Sequence, residues 1–407
     1  MVTVETPPGV LRTVDEALEH VHAICFKTGP PRRIGAELEW IIQHADDPHR
    51  ALDIPTLRTA LGDHAPRTLD PDSPQRPLRH GGRVTVEPGG QVEVSTPPYV
   101  SLTDLHAATE ADIAQVNELL TAYGLRLGAY GIDPHRPPRR LLHTPRYDAM
   151  AAAFARRGSA GQVMMCGTAA TQICLDAGEP HHVPARWAAL HALGPPLLAL
   201  FANSRRHCGS DTGWASARMR AWLAIDPART WPVAGGPGAD RDPATAWAEY
   251  ALAAPLLCLR RGHGRSWHPP PEVSFADWVA GAVSPPPTID DLDYHLGTLF
   301  PPVRPRGYVE VRYLDTQPEG EWIAPVAVLA ALLADAATTD TARDLAAPVA
   351  DAWTTAAQRG LADPAIRRVA AALAELACGA LEHTDLPPAT AQAVAAIVSR
   401  RLAGGRE

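Results

Sequence analysis

Between Thr85 and Pro98 the chain reads Thr-Val-Glu-Pro-Gly-Gly-Gln-Val-Glu-Val-Ser-Thr-Pro-Pro, and this stretch limits the possible architecture more than any other. In extended chain every second side chain shares a face. Thr85 and Glu87 therefore point one way before the Pro88-Gly89-Gly90 break, and Gln91, Glu93 and Ser95 point together after it. Val84, Val86, Val92 and Val94 must then face a core. Carboxylates held over a buried apolar layer repel one another and lose hydration, so they persist where a cation or a ligand neutralises them.

Two more segments repeat the pattern. Arg33 to Ile42 alternates and is rich in β-branched residues, with Glu37 and Glu39 on one face and Ala36, Leu38 and Trp40 on the other. Tyr308 to Asp315 is a third such strand and carries Glu310 and Arg312 on one face. One pair of this kind is explained by an exposed strand face. Three in one chain point to a shared site. Magnesium takes hard oxygen ligands and is commonly bound by one or two carboxylates with substrate phosphates and water. Phosphoryl transfer in turn depends on cations placed on the transferring oxygens, a role that suits Arg312.

The 407 residues allow one large unit or two to three smaller ones, and a single catalytic domain over 1–407 is expected, with its motifs in 33–315 and helices in 325–403. No apolar run is long and unbroken enough to span a bilayer; Val183 to Asn203 comes nearest, but His191 and Gly194-Pro195-Pro196 interrupt it. Glu5, Pro7 and Pro8 do not suit a signal peptide, so a cytoplasmic location is expected. Six cysteines without a C-x-x-C pair suggest neither a zinc ribbon nor a disulfide framework. A net charge of −8 offers no general attraction to nucleic acid or to an anionic membrane.

Helices are expected near 14–24, over 102–123 with a cap at Thr103-Asp104, at 149–157, 184–203 and 244–258, and from 325 onward at 325–334, 341–358, 363–380 and 388–403. Further strands are expected at 125–131 and 164–176. Long helical insertions between strands, with no G-x-G-x-x-G turn and no Walker lysine, disfavour a doubly wound fold. The expectation is an α+β fold: a mainly antiparallel sheet packed by helices, with one polar face free for a site. His181-His182 and the pair His263 and His268 lie in proline-rich loops with no third ligand, and are read as surface or packing residues.

Five blocks, in order, carry a resemblance: Gly35 to Glu39; Val86 to Glu93; Thr171 to Asp176; Ala202-Asn203-Ser204 with Gly213 to Arg218; and Arg306 to Asp315. With them the chain resembles glutamate-cysteine ligase family 2, in particular its actinobacterial ergothioneine-pathway branch, whose relatives include the plant-type glutamate-cysteine ligases. The resemblance implies a glutamine synthetase-like catalytic fold and ATP-dependent joining of the γ-carboxylate of L-glutamate to the amine of L-cysteine through a γ-glutamyl phosphate. It also implies Mg2+ ligated by Glu37, Glu39, Glu87, Glu93 and Glu310, and Arg312 facing the transferred phosphoryl group. Arg218 is similar to an arginine on glutamate or phosphate, Gln91 and Gln172 fall near substrate, and Asp226 and Arg229 are expected near the nucleotide at the mouth of the site. Plant-type relatives carry Asn where this chain has Cys174. A monomer is expected, with a homodimer as the alternative. Two other readings stand beside the leading one: a carboxylate-amine ligase with a different acceptor, and a magnesium-nucleotide binding protein without turnover.

Overall fold

The computed structural model describes residues 9–233, 241–262 and 264–404, so the readings made at Glu5, Pro7, Pro8 and His263 fall outside the described residues. Ten strands occur within them: β1 (Ile34–Trp40), β2 (Ile42–His44), β3 (Arg83–Val86), β4 (Val92–Ser95), β5 (Leu125–Leu127), β6 (Ala170–Leu175), β7 (Arg206–His207), β8 (Ser210–Asp211), β9 (Val303–Pro305) and β10 (Val309–Asp315). Six of them form one sheet in the order β3-β4-β1-β6-β10-β9. Every neighbouring pair is antiparallel, and with the surrounding helices this makes the fold α+β. β2 pairs with β5 and β7 with β8 as small separate ribbons.

Register carries the alternation of the sequence from strand to strand. Glu39 lies opposite Glu93, and Glu93 opposite Thr85. Glu37 lies between Ser95 and Gln172, while Cys174 faces Glu310 and Glu310 faces Arg304. These residues share one face. The other face presents Ala36, Leu38, Val84, Val92, Val94, Ile173 and Val311, each nearly inaccessible to solvent.

Helices cover that apolar face. Helix Leu102–Thr121 buries Leu105, Val116 and Leu120, and its Asp112 accepts the backbone N–H groups of His80 and Gly82, which ties down the loop before β3. Helix Ile323–Leu332 is buried on nearly every side, the pattern of a central core helix. No single helix among the described residues is long and apolar enough to cross a membrane.

Several boundaries differ from the sequence-based expectation. The stretch 164–176 is not one strand: helix Ala160–Gly167 ends where the Thr168 hydroxyl donates to Met164 O, and β6 starts at Ala170. Short apolar runs fit either state, and here packing under the β3–β4 turn decides. The strand expected over 125–131 stops at Leu127. The cap of the 102–121 helix is Ser101, whose hydroxyl accepts from Asp104 N. Pro348 lies in the break that divides the expected 341–358 helix into Ala336–Ala346 and Trp353–Arg359. Helix Pro243–Ala253 ends short of Cys258. Helices Ala217–Leu223 and Ile289–Leu296 were not expected.

Candidate active site

Over the polar face opens a cavity of about 440 Å3. Its acidic wall is Glu37, Glu39, Glu87 and Glu93; its basic wall is Arg304, Arg306 and Arg312. Helices Pro145–Ala155 and Ile289–Leu296 contribute Arg146 and Tyr294, with the Arg146 guanidinium 5.1 Å from the centre of the Tyr294 ring.

The β3–β4 turn fixes the position of Glu87. Gly90 N donates to Glu87 O and Glu87 N to Gln91 O, each at 2.8 Å, with Gly90 at φ +87°, where a side chain is strained. A Cβ on Gly89 would stand 2.2 Å from Cys166 O, so the turn lies directly against the end of helix Ala160–Gly167. Gln91 completes the clamp. Its Oε1 accepts from Gly89 N at 2.9 Å, and its Nε2 donates to Met165 O and Thr168 O.

The basic wall is organised around one carboxylate. Glu310, with 0% exposure, accepts from Arg304 Nε at 2.7 Å, Arg306 Nη1 at 3.1 Å and Arg312 Nη1 at 3.0 Å. Burial alone would raise its carboxyl, but Arg304, Arg312 and Arg306 outweigh that and bring it down to about 2. Arg312 sits at an irregularity in the β6–β10 pairing between Val311 and Leu314. There Arg312 N donates to Pro302 O and Arg312 O accepts from Arg218 Nη2 at 2.7 Å. From that position Arg312 also donates to Gln172 Oε1, and Gln172 Nε2 donates to Glu39 Oε1 at 2.7 Å. A continuous chain thus runs Glu310, Arg312, Gln172, Glu39. The Nε of Arg312 is buried and has no protein acceptor.

On the acidic wall the physics is reversed. Burial, and then the charge of a neighbouring glutamate, raises the carboxyls of Glu37, Glu39, Glu87 and Glu93 to about 7. Glu39 accepts from Ala170 N and Gln172, and Glu93 Oε1 accepts from the hydroxyls of Thr85 and Ser95. Among the described residues no donor serves the side chains of Glu37 or Glu87. Such open, hard oxygen atoms beside repelling neighbours fit a magnesium ion. Among the described residues no three acidic, His or Cys side chains close a cage round one point, so the fit is to magnesium's usual mode of one or two carboxylates with phosphate oxygens and water.

Four expected site residues, Glu310, Arg218, Asp226 and Arg229, lie off the cavity lining. Glu310 is engaged by arginines instead of offering a free oxygen to metal, because β9, the link after it and its own strand bring Arg304, Arg306 and Arg312 to it. Arg218 is 1% exposed beneath the cavity; it reaches Arg312 O and lies 3.7 Å from Asp315, so it positions the strand that carries Arg312. Gln91 lines the cavity, with its amide committed to the turn, to helix Ala160–Gly167 and to Thr168 O. Asp226 caps helix Pro227–Thr230, and Arg229 donates to Thr298 O and to Pro255 O; both lie off the acidic cavity. They support its wall indirectly, since Arg229 O accepts from Phe300 N. Sequence reasoning missed Arg146, Tyr294, Arg304 and Arg306. For the last two a signal was present: Arg304, Arg306 and Tyr308 continue the parity of Glu310 and Arg312.

The sequence profile of glutamate-cysteine ligase family 2 (GCS2) matches residues 33–396. Glutamate–cysteine ligase EgtA of Mycolicibacterium smegmatis is 40% identical over 345 residues, which cover 83% of this chain and 77% of that protein. EgtA of Mycobacterium tuberculosis H37Rv is 39% identical over 334 residues, 81% of this chain and 74% of the relative. The chloroplastic glutamate–cysteine ligase of Nicotiana tabacum is 28% identical over 270 residues, 64% of this chain and 51% of its own. A crystal structure of glutamate–cysteine ligase from Francisella tularensis in complex with AMP has a TM-score of 0.53 at 14% identity, covering 93% of this chain and 83% of that one. That last likeness is one of fold.

Proposed function

The chain belongs to glutamate-cysteine ligase family 2, and from that membership we propose how its polar sheet face works as an ATP-dependent glutamate–cysteine ligase. The observation that carries the reading is the single cavity in which four glutamates face three arginines across one antiparallel sheet. We assign the chain to the ergothioneine-pathway branch on its 40% identity with an EgtA ligase, and treat 1–407 as one catalytic unit.

A carboxylate is a poor acyl donor because its charge is delocalised and oxide leaves badly. The γ-carboxylate oxygen of glutamate attacks the terminal phosphorus of ATP, ADP departs, and a γ-glutamyl phosphate results. The cysteine amine then attacks the acyl carbon, loses a proton, and expels phosphate as the C–N bond forms. Magnesium, when bound, shields the phosphate charge and ties the polyphosphate to the acidic wall. Glu37 and Glu87, with no protein donor, are the residues we assign to hold it, aided by Glu93; Glu39 is the inner carboxylate, oriented by Ala170 N and Gln172. Arg312 and Arg304 meet the transferring phosphoryl oxygens, since both line the cavity and are braced by Glu310.

The test is direct. Purified protein with ATP, magnesium, glutamate and cysteine should release ADP and phosphate and yield a product of the mass of γ-glutamylcysteine. Release of no more ADP than in the cysteine-free control would end this reading.

A further inference from the structure

The same cavity has a third surface with different chemistry. Three of the five methionines of the chain, Met150, Met164 and Met165, line the cavity, each at most 8% exposed. They come from helices Pro145–Ala155 and Ala160–Gly167. Polar groups share this side, and Gln91, Thr168 and Trp222 have their donors spent. Gln91 Nε2 donates to Met165 O and Thr168 O, the Thr168 hydroxyl donates to Met164 O at 2.7 Å, and Trp222 Nε1 donates to Phe300 O at 2.8 Å. The Tyr147 phenol, one turn before Met150, stays protonated: burial raises it, and so does the nearby Glu87.

We propose that Met150, Met164 and Met165 form the acceptor subsite that selects a thiol side chain over a hydroxyl. This inference rests on the ligase reading above and names the residues behind its substrate choice. Thioethers are polarisable and apolar, and they take a CH2–SH group as readily as a hydrocarbon. A CH2–OH group placed there must give up its water and finds the donors of Gln91, Thr168 and Trp222 engaged. Glutamate suits the wall less, since it carries charge at both ends and is served by the arginines.

The experiment compares kcat/KM for L-cysteine, L-serine and L-2-aminobutyrate, whose methyl replaces the thiol. Wild-type protein should use 2-aminobutyrate about tenfold or more better than serine, the factor expected for one unpaired buried hydroxyl. Met165→Thr, which supplies a hydroxyl partner, should shift the cysteine-to-serine ratio toward serine by about tenfold, whereas Met165→Leu should keep that ratio within about threefold. The ratio is taken within each variant, so a general loss of turnover cancels. Serine used as well as 2-aminobutyrate by the wild type would overturn the assignment, a result that needs no variant. A raised KM for ATP with an unmoved ratio in Met165→Thr would also overturn it, by giving the wall to the nucleotide. Hydroxylamine separates this failure from that of the ligase reading, because γ-glutamyl hydroxamate formed from glutamate and magnesium-ATP reports the donor half without an amino acid acceptor.

Discussion

Two of the hydrogen-bonding directions of Arg312 are taken, by Glu310 and Gln172, while its Nε hydrogen has no protein acceptor. Arg312→Ala is expected to lower kcat about 10³-fold, the scale of an arginine acting on a transferring phosphoryl group; a variant within a few-fold of wild type would remove it from that role. Glu310 behaves differently from what its sequence position implies. Read as a ligand in a charge cluster, it should be replaceable with little unfolding. Held by three buried or half-buried guanidinium groups, it should not: Glu310→Gln leaves their charge uncompensated and should cost about 3 kcal/mol in urea unfolding. A loss below about 1 kcal/mol would show that solvent or relaxation compensates. The four glutamates of the acidic wall could be read from the sequence because period-two alternation needs only local chain geometry. The partners of Glu310 were less accessible, since Gly307 and Pro305 break the alternation just where Arg304 and Arg306 continue it.

The β3–β4 hairpin and helix Ala160–Gly167 depend on each other. Their closest approach is at Gly89, where an added methyl group would meet Cys166 O, C and Cα at 2.2 to 2.6 Å. Backbone cannot swing aside as a side chain does. Gly89→Ala should therefore push the turn off the helix, destabilise the protein by about 2 kcal/mol or more, and displace Glu87; denaturant midpoint and magnesium dependence of turnover should change together. An unaltered midpoint would mean that the helix end yields freely. The hairpin itself was legible: valine alternation on both sides of Pro-Gly-Gly leaves few other solutions. Helix Ala160–Gly167 was not, because Met164-Met165-Cys166 has no periodicity to separate strand from helix, and only its packing under the turn makes the choice.

Across the whole molecule the two walls oppose each other in their response to pH. The carboxyls of Glu37, Glu39, Glu87 and Glu93 rise from 4.5 to about 7 on folding, so the stability they confer when protonated is complete below about 4.5 and lost as pH climbs through about 7. Glu310 runs the other way: lowered to about 2, it stabilises above about 4.5 and that contribution is lost as pH falls through about 2. Ligand-free protein in a chelator should therefore melt highest near about pH 5 and lose on the order of 2 kcal/mol or more by about pH 8. Magnesium should raise the melting temperature more at the upper pH than at the lower. A flat profile across that range would contradict the buried, mutually repelling set. At this scale the sheet order was not legible, because β6 and β10 are separated from β1 by more than a hundred residues each and nothing local says which strands will be neighbours. That order has an electrical consequence. β6 lies between β1 and β10, and its residues on the cavity side, Gln172 and Cys174, carry no fixed charge. Two strand spacings hold the plates about 10 Å apart, with a neutral layer between them, as in a charged capacitor. Glu37, Glu39, Glu87 and Glu93 then form no direct ion pair with the three arginines, and a field crosses the cavity when those carboxyls are ionised. A molecule that is anionic at one end and carries a cation at the other is drawn into line along it before any single contact is made.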